Sequence, residues 1–319
     1  MENKTYDITI VGGGPAGLYA AACAGMRHLK VLLIESSEIL GGKLNTYPEK
    51  SIFDIPGFNE IKAKDLAVNL KTQMENYIEH IDIVFNEEVL DVRDGDGYQL
   101  QLKNSTINTK YVLVTNGSGK FNPRKLDCEG ANLNRNIIYS FIDTSRFADK
   151  DVIVLGGGDS AVDFVLMLQG VAKKVYLIHR RSDFRAKDDS LAKISKNTSV
   201  LTPFDCTLVD GNVLTITNKD SGEAKKIPFD NMVVAYGALP SNDYFSKILT
   251  IDQKGIVVNE YYQTSKSSVY AIGDACYYPA KNKNISSAFG EASNVISLIA
   301  NKLNPSKTGQ YYSSIQLKK

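Results

Sequence analysis

Apolar runs of strand length, each followed by a glycine-rich turn and a helical stretch, occur twice along the chain in the same order. Tyr6 to Val11 reads as a short buried strand leading into Gly12, and a helix follows over Leu18 to Ala24. A second strand spans Val31 to Ile34. The arrangement returns as strand Val152 to Leu155, a helix through Leu168, and strand Val175 to Ile178. Each copy closes with another apolar strand that leads to a glycine, Tyr111 to Thr115 before Gly117 and Met232 to Tyr236 before Gly237. Between Asp82 and Val114, alternating apolar residues and turns such as Asp94 to Gly97 predict a small antiparallel sheet attached to the first copy. Thr207 to Ile227, with a turn near Asn218 to Gly222, predicts the counterpart on the second.

The turns carry the chemistry. In the first copy Gly12, Gly14 and Gly17 have the spacing GxGxxG. In that pattern the first glycine allows the tight turn, the second lets backbone approach a pyrophosphate, and the third packs the helix closely on the strand. The helix N-terminus then offers N–H groups and a positive dipole end to the phosphates. Eighteen positions after Gly17, Glu35 ends the second strand, where a carboxylate can accept hydrogen bonds from the ribose hydroxyls of an adenosine.

The second copy has Gly156, Gly158 and Ala161 as GxGxxA, and eighteen positions on stands His179, followed by Arg180 and Arg181. A carboxylate would repel the 2′-phosphate of NADP, whereas guanidinium groups hold it by paired, charge-assisted hydrogen bonds. The second site therefore favours NADPH over NADH. One such motif is weak evidence; two, each between strand and helix with the same offset to oppositely charged strand ends, are strong.

After the second crossing, Tyr270-Ala271-Ile272-Gly273-Asp274 reads as a strand ending in Gly-Asp, a third phosphate- or ribityl-facing signature. The economical solution returns residues from about 243 to the first domain to complete an FAD site. A helix over Ser287 to Lys302 then points its N-terminus at the flavin, where the dipole stabilises charge developing at the N1/C2=O edge. The fold class is thus α/β: two three-layer Rossmann-like nucleotide-binding domains. The FAD domain comprises residues 1–115 and 243–319, and the NADPH domain is inserted as 116–242.

Composition narrows the setting. The 319 residues are 43% hydrophobic and 23% charged, enough for two buried cores. No apolar run reaches membrane-span length and the N-terminus is polar, so a cytoplasmic protein without signal peptide is expected. With 37 basic and 36 acidic side chains there is no global field of the kind that marks nucleic-acid binders. Cys23, Cys128, Cys206 and Cys276 are widely separated, which excludes CxxC redox pairs and zinc knuckles and reads as isolated buried thiols. His28, His80 and His179 are also far apart in sequence, none near another, and no metal site is expected.

GGGPAGLYAA at Gly12 to Ala21, GGKL at Gly41 to Leu44, GGGDSAVD at Gly156 to Asp163, HRRSDFRA at His179 to Ala186 and AIGDA at Ala271 to Ala275 together resemble the thioredoxin reductase-like flavoproteins across essentially the whole chain. The resemblance implies a homodimer with FAD and NADPH as cofactors. Thioredoxin reductases carry a CxxC ahead of the second glycine turn; the equivalent positions here are Tyr139 and Ile142, so reduction of thioredoxin is not expected. Thr46 to Lys50, Phe121 to Arg124, Phe289 to Ala292 and the C-terminal extension look most like the CxxC-lacking branch, the ferredoxin–NADP reductases of thioredoxin reductase-like type.

Carried over residue by residue, the resemblance puts FAD against Gly12, Gly14, Pro15, Ala16, Gly17, Glu35, Lys43, Leu44, Tyr47, Asp54, Val89, Gly117, Phe121, Asp274 and Ala288. Tyr47 would stack on one flavin face and Tyr311 or Tyr312, beside Ser313, on the other. Lys43 replaces the family's usual glutamine, a positive charge near the flavin that would raise its potential. NADPH would meet Gly156, Gly158, Asp159, Ser160, Ala161, His179, Arg180, Arg181, Arg185 and Gly237.

The implied reaction is hydride transfer between NADPH and flavin N5, followed by single-electron release to ferredoxin or flavodoxin, with no catalytic side chain; the tail shifts and the domains rotate near Gly117 and Gly237. Acidic carriers would dock on a basic patch, either Lys120, Arg124 and Lys125 or the tail Lys318 and Lys319. Two other readings stay open: a reductase for small acceptors or a separate disulfide carrier, and a non-catalytic flavin sensor of NADPH.

Overall fold

The computed structural model describes residues 4–95, 97–117, 119, 123–141, 143–237, 244–252 and 255–307. They form two compact units, one from residues 1–120 with 240–319 and one from 121–239.

The first unit is organised on Thr5–Val11. This strand pairs in parallel with Val31–Ile34 on one side and with Thr106–Val114 on the other, in the registers Ile10↔Leu33 and Ile10↔Leu113. Ile81–Val84 extends the sheet beyond Val31–Ile34, also in parallel. Thr106–Val114 is long enough to serve two partners: its C-terminal half pairs with Val269–Ala271 in parallel, and its N-terminal half with Gly97–Gln101 in antiparallel. Asp91–Gly95 completes that meander. The small antiparallel sheet expected between Asp82 and Val114 is therefore continuous with the main sheet, and Ile81–Val84 belongs to the parallel part. Thr106–Val114 carries the antiparallel pairing on its N-terminal half and the parallel pairing on its C-terminal half, so alternation alone could not separate the two parts.

Central strands such as Val31–Ile34 are buried at every position, as a parallel sheet covered on both faces requires. One face is covered by the helices Pro15–Gly25, Ala63–Glu75 and Ile285–Leu303. Pro15–Gly25 reads PAGLYAAACAG, and its small side chains let it lie against both other helices and the sheet at once. The other face is covered by the meander and by Phe245, Leu249, Ile256 and Val258.

The second unit repeats the plan on a smaller scale. Its parallel sheet runs Ser199–Leu201, Lys174–Ile178, Asp151–Leu155, Asn231–Val234, Ile137–Ile138. The last main strand stops at Val234, two residues before the Tyr236 anticipated from the apolar run. An antiparallel meander, Phe204–Asp210, Val213–Asn218 and Ala224–Pro228, forms its own sheet, with a bulge between Cys206 and Leu208. Among the described residues no helix is long and apolar enough to cross a membrane.

Folding corrects two readings of scattered residues. His28 and His80, 52 positions apart, meet with Nδ1···Nε2 at 2.7 Å and rings edge to face, so two of the three histidines are neighbours. Separation in sequence says nothing of distance once the helix Pro15–Gly25 and the 3₁₀ turn Ile78–His80 converge on the same sheet edge. Of the thiols, Cys23 and Cys276 are buried, but Cys128 and Cys206 are only half-buried. Burial pushes Cys276 up to about 12 and Cys206 to about 12, which keeps both as thiols at neutral pH.

Candidate functional site

Two glycine turns of the first unit meet backbone to backbone. Gly12 has φ +111° and donates its N–H to Ile34 O at 2.8 Å, which ties the turn to the neighbouring strand. Thr115, just past the next strand, donates its hydroxyl to Gly12 O at 2.7 Å. A Cβ on Gly17 would stand 1.9 Å from Gly12 O, so only glycine allows the helix this close to the turn. Facing them are Gly41, at φ +123°, and Gly42, at φ +55°; Gly41 N–H bonds to Gly13 O at 2.8 Å. A Cβ on Gly14 would find only Gly42 Cα, 4.0 Å away. The result is a cradle lined by main chain.

Gly14 is the N-cap of Pro15–Gly25 and no side chain caps the helix. The first-turn N–H groups have no acceptor within the helix, and the cradle directs them to whatever occupies it. Pro15 and Ala16 form that first turn. Glu35 is buried; its Oε2 accepts Gly13 N–H at 2.7 Å and its Oε1 accepts Ser37 N–H at 2.9 Å. Oε1 also accepts the Ser36 hydroxyl at 3.3 Å, so the lone pair left for a ligand hydroxyl is on Oε2. Donors for phosphate beside an acceptor for ribose fit the adenosine diphosphate half of a dinucleotide.

A third turn closes on the same helix. Ile272 N–H pairs with Val114 O, Gly273 takes φ +67°, and a Cβ on it would lie 3.2 Å from Ala16 Cβ and 3.7 Å from Ala288 Cβ. Asp274 follows in the 3₁₀ turn Gly273–Ala275, with Lys43 Nζ 3.4 Å from its carboxylate and Lys283 Nζ on its main-chain oxygen at 3.1 Å. Lys43 thus brings its charge to Asp274. Ala288 lies in the helix Ile285–Leu303, capped by Asn284 accepting Ser287 N–H at 2.8 Å.

The remaining expected contacts scatter more. Leu44 is buried in the core. Val89 is buried in the opposite core with Val11 and Ile34. Tyr47 is half-buried and accepts Lys50 N–H through its carbonyl, while Asp54 is exposed with its carbonyl accepting the Ser286 hydroxyl. Gly117 has φ +62° in open space. Phe121, Tyr311, Tyr312 and Ser313 lie outside the described residues, as do Lys120, Lys318 and Lys319 among the proposed docking lysines.

In the second unit Gly156, at φ +151°, donates to Ile178 O at 3.0 Å, and a Cβ on it would lie 2.7 Å from Ala235 O. Gly158 caps Asp159–Leu168 with no side-chain cap, and a Cβ there would meet nothing within 4 Å. Asp159 and Ser160 open that helix, Ala161 is buried where the first motif has glycine, and Asp159 accepts Lys187 N–H at 3.0 Å.

His179 is buried beneath the turn: a Cβ on Gly157 would fall 2.3 Å from its ring. Burial lowers its pKa from the ordinary histidine value; a backbone hydrogen bond involving Asp183 opposes this, and Arg181, Arg180 and Arg185 add to it. It is therefore neutral at pH 7, and its Nε2 has no hydrogen-bond partner among the described residues. The charge at this strand end belongs to Arg180, Arg181 and Arg185, all exposed; Arg185 N–H is anchored on Gly157 O at 2.7 Å, which brings the guanidinium-bearing loop to the glycine turn. Bare donors beside three guanidiniums fit a dinucleotide carrying an extra phosphate. Gly237, at φ +83°, accepts Arg124 N–H at 2.9 Å.

Tyr139 has a structural occupation. Its hydroxyl accepts Leu126 N–H at 3.2 Å and Lys125 lies over its ring at 4.2 Å, while Phe141 packs at 4.7 Å on Phe147 and at 4.8 Å on Phe164. Ile142 lies outside the described residues. No cluster of three or more metal-ligating side chains occurs among the described residues.

Sequence reasoning passed over Thr115, Gly157 and Glu291. Nothing marks Thr115 in a sequence. Gly157 is adjacent to the motif glycines, and Glu291 could have been found as a carboxylate among Ala288, Ala292 and Val295 on the buried stripe of its helix.

Two parallel-sheet units, each with an uncapped helix over a glycine turn and a charged second strand end, define a two-dinucleotide α/β protein. Residues 6–296 match the pyridine nucleotide-disulphide oxidoreductase family, and the chain belongs to it. It is 39% identical to a ferredoxin–NADP reductase of Halalkalibacterium halodurans over 91% of each chain. It is 41% identical to ferredoxin–NADP reductase 2 of Listeria monocytogenes over 96% of each. Among solved structures, Lactococcus lactis thioredoxin reductase superposes with a TM-score of 0.82 at 23% identity, covering 92% of this chain and 97% of that one. At that identity the likeness concerns the fold.

Proposed function

We propose that the chain carries electrons between NADPH and an acidic ferredoxin or flavodoxin through bound FAD, as a ferredoxin–NADP reductase. The observation that carries this reading is the contrast between two near-identical cradles, one ending in the buried carboxylate Glu35 and the other in Arg180, Arg181 and Arg185. The curated relatives named above support the choice of carrier. So does Tyr139, engaged in packing at a position where thioredoxin reductases carry a thiol.

We assign FAD to residues 1–115 with 243–319 and NADPH to 116–242. The first-turn N–H groups behind Gly14 would hold the FAD pyrophosphate, Glu35 its ribose, and Asp274 the ribityl–phosphate region. Gly156 and Gly158 would admit the NADPH pyrophosphate, Arg180, Arg181 and Arg185 its 2′-phosphate, and neutral His179 supports the turn from below. FAD, when bound, supplies the chemistry by taking a hydride and releasing its electrons singly. The side chains bind, orient and tune; Lys43 beside Asp274 supplies positive charge that favours the reduced form. The working form would be a cytoplasmic homodimer, which sedimentation at twice the chain mass tests.

The decisive experiment is NADPH-driven cytochrome c reduction with and without ferredoxin or flavodoxin, beside a thioredoxin-coupled disulfide assay. Strong stimulation by the carrier, weakened by salt, with silence in the disulfide assay is the expected result. Equal rates without the carrier would move the function to small acceptors, and thioredoxin reduction would overturn it.

A further inference from the structure

We infer that Glu291 is a positioning residue for the flavin site, holding the Gly273–Asp274 turn in place, and that Lys281 is its buried counter-ion. The inference rests on the assignment of FAD to the first unit.

Glu291 lies on the core-facing side of Ile285–Leu303, and its side chain is 3% exposed; that of Lys281 is 1% exposed. An ionised carboxylate in such surroundings needs compensation on every lone pair. It has three donors. Gly273 N–H bonds to Oε2 at 2.7 Å, the Tyr278 hydroxyl bonds to Oε1 at 2.7 Å, and the Lys281 ammonium also reaches Oε1. Burial and Glu291 together raise the Tyr278 pKa, so this phenol stays a donor.

A pair serving only to join helix and loop would have no need of Gly273. That N–H belongs to the residue where the chain leaves its sheet: Ile272 is extended at φ −139°, ψ 172°, and Gly273 turns to φ +67°. The turn rests on Ala16, in the first turn of the helix that faces the glycine cradle. Asp274 comes next, fastened from outside by Lys43 and Lys283. Glu291 is thus the inner anchor of a residue whose outer side faces the proposed cofactor. Removing its acceptor frees the Gly273 amide to rotate and takes Asp274 out of register.

The test separates the acceptor from the charge. In the double variant Glu291→Gln with Lys281→Met, no unpaired buried charge remains and an amide oxygen still accepts from Gly273. In Glu291→Leu with Lys281→Met, the charge balance is the same but the acceptor is gone. FAD affinity, measured by flavin fluorescence on reconstitution, is expected to stay within about threefold of the parent in the first and to fall ~10-fold or more in the second. The flavin midpoint potential should shift only in the second. Affinity for 2′,5′-ADP, which reports the other unit, should be unchanged in both.

Equal FAD affinities and potentials for the two double variants would overturn the inference while leaving the functional reading intact. A parent protein that binds no FAD would overturn both. Should the leucine variant not fold, Glu291→Asp serves instead, because it keeps the charge pair one methylene short of Gly273. Faster FAD release than the parent is then expected, and release at the parent rate would refute the role.

Discussion

Glycines 17, 157 and 158 all stand in dinucleotide motifs, yet the space around each differs. A methyl group on Gly17 would lie 1.9 Å from Gly12 O, a rigid main-chain atom that cannot yield. Gly17→Ala should therefore cost more than about 3 kcal/mol, the upper range for overpacking, and leave protein that does not retain flavin. Gly157→Ala would strike the His179 ring at 2.3 Å and should abolish binding to a 2′,5′-ADP column while the protein stays yellow. Gly158→Ala meets open space and should cost about 1 kcal/mol or less, the difference between glycine and alanine as N-cap. Flavin absorbance, column retention and urea unfolding of the three variants check the order. The same comparison marks what was legible: Gly17 and Gly158 are motif positions, but the constraint on Gly157 comes from a ring 22 residues away.

At the scale of elements, the helix Ile285–Leu303 links the core to the Gly273–Asp274 turn, and its start is set by one side chain. Asn284 accepts Ser287 N–H at 2.8 Å. Asn284→Ala should destabilise the first unit by about 1 kcal/mol, with thermal unfolding as the measure, and loosen Ala288 where it backs Gly273. Central strands of the two parallel sheets were readable because they are continuous apolar runs between turn signals, as with Val31–Ile34 and Val152 to Leu155, whereas the short edge strands Ser199–Leu201 and Ile137–Ile138 were not. The role of Thr106–Val114 was not. Its sequence shows one strand, whereas its pairing with three others depends on where Gly97–Gln101 and Val269–Ala271 arrive beside Thr5–Val11. The same reason hid His28 beside His80: each is at the end of a different element, and only the sheet edge brings those ends together.

For the whole molecule, the second unit is interrupted neither in sequence nor in its core. Among the described residues, its cluster around Ile153, Leu155, Leu214 and Met232 draws only on residues of that unit. Arg124 near its start bonds to Gly237 near its end at 2.9 Å, so the two ends meet. A chain closed in this way tolerates excision, because removing its surroundings exposes no broken strand. The fragment 123–237 is expected to fold cooperatively and to be stabilised by 2′,5′-ADP but not by FAD; circular dichroism with and without each ligand checks this. An unfolded fragment would mean that its stability is borrowed from the first unit.

The sequence by itself determined the repeated strand–turn–helix plan, the contrast of Glu35 with the arginines after His179, and the lack of thiols at Tyr139 and Ile142. These are matters of short range along the chain: a strand end and a missing thiol each lie at an offset of under twenty residues from their glycine turn. Tertiary structure alone decided that Gly12 would lean on Thr115, that His179 would lie neutral beneath Gly157, and that Glu291 would reach Gly273 with Lys281 as its counter-ion. Each of those contacts joins separate segments, and hydrogen bonding, burial and charge pairing act through distance in space, which spacing along the chain does not encode.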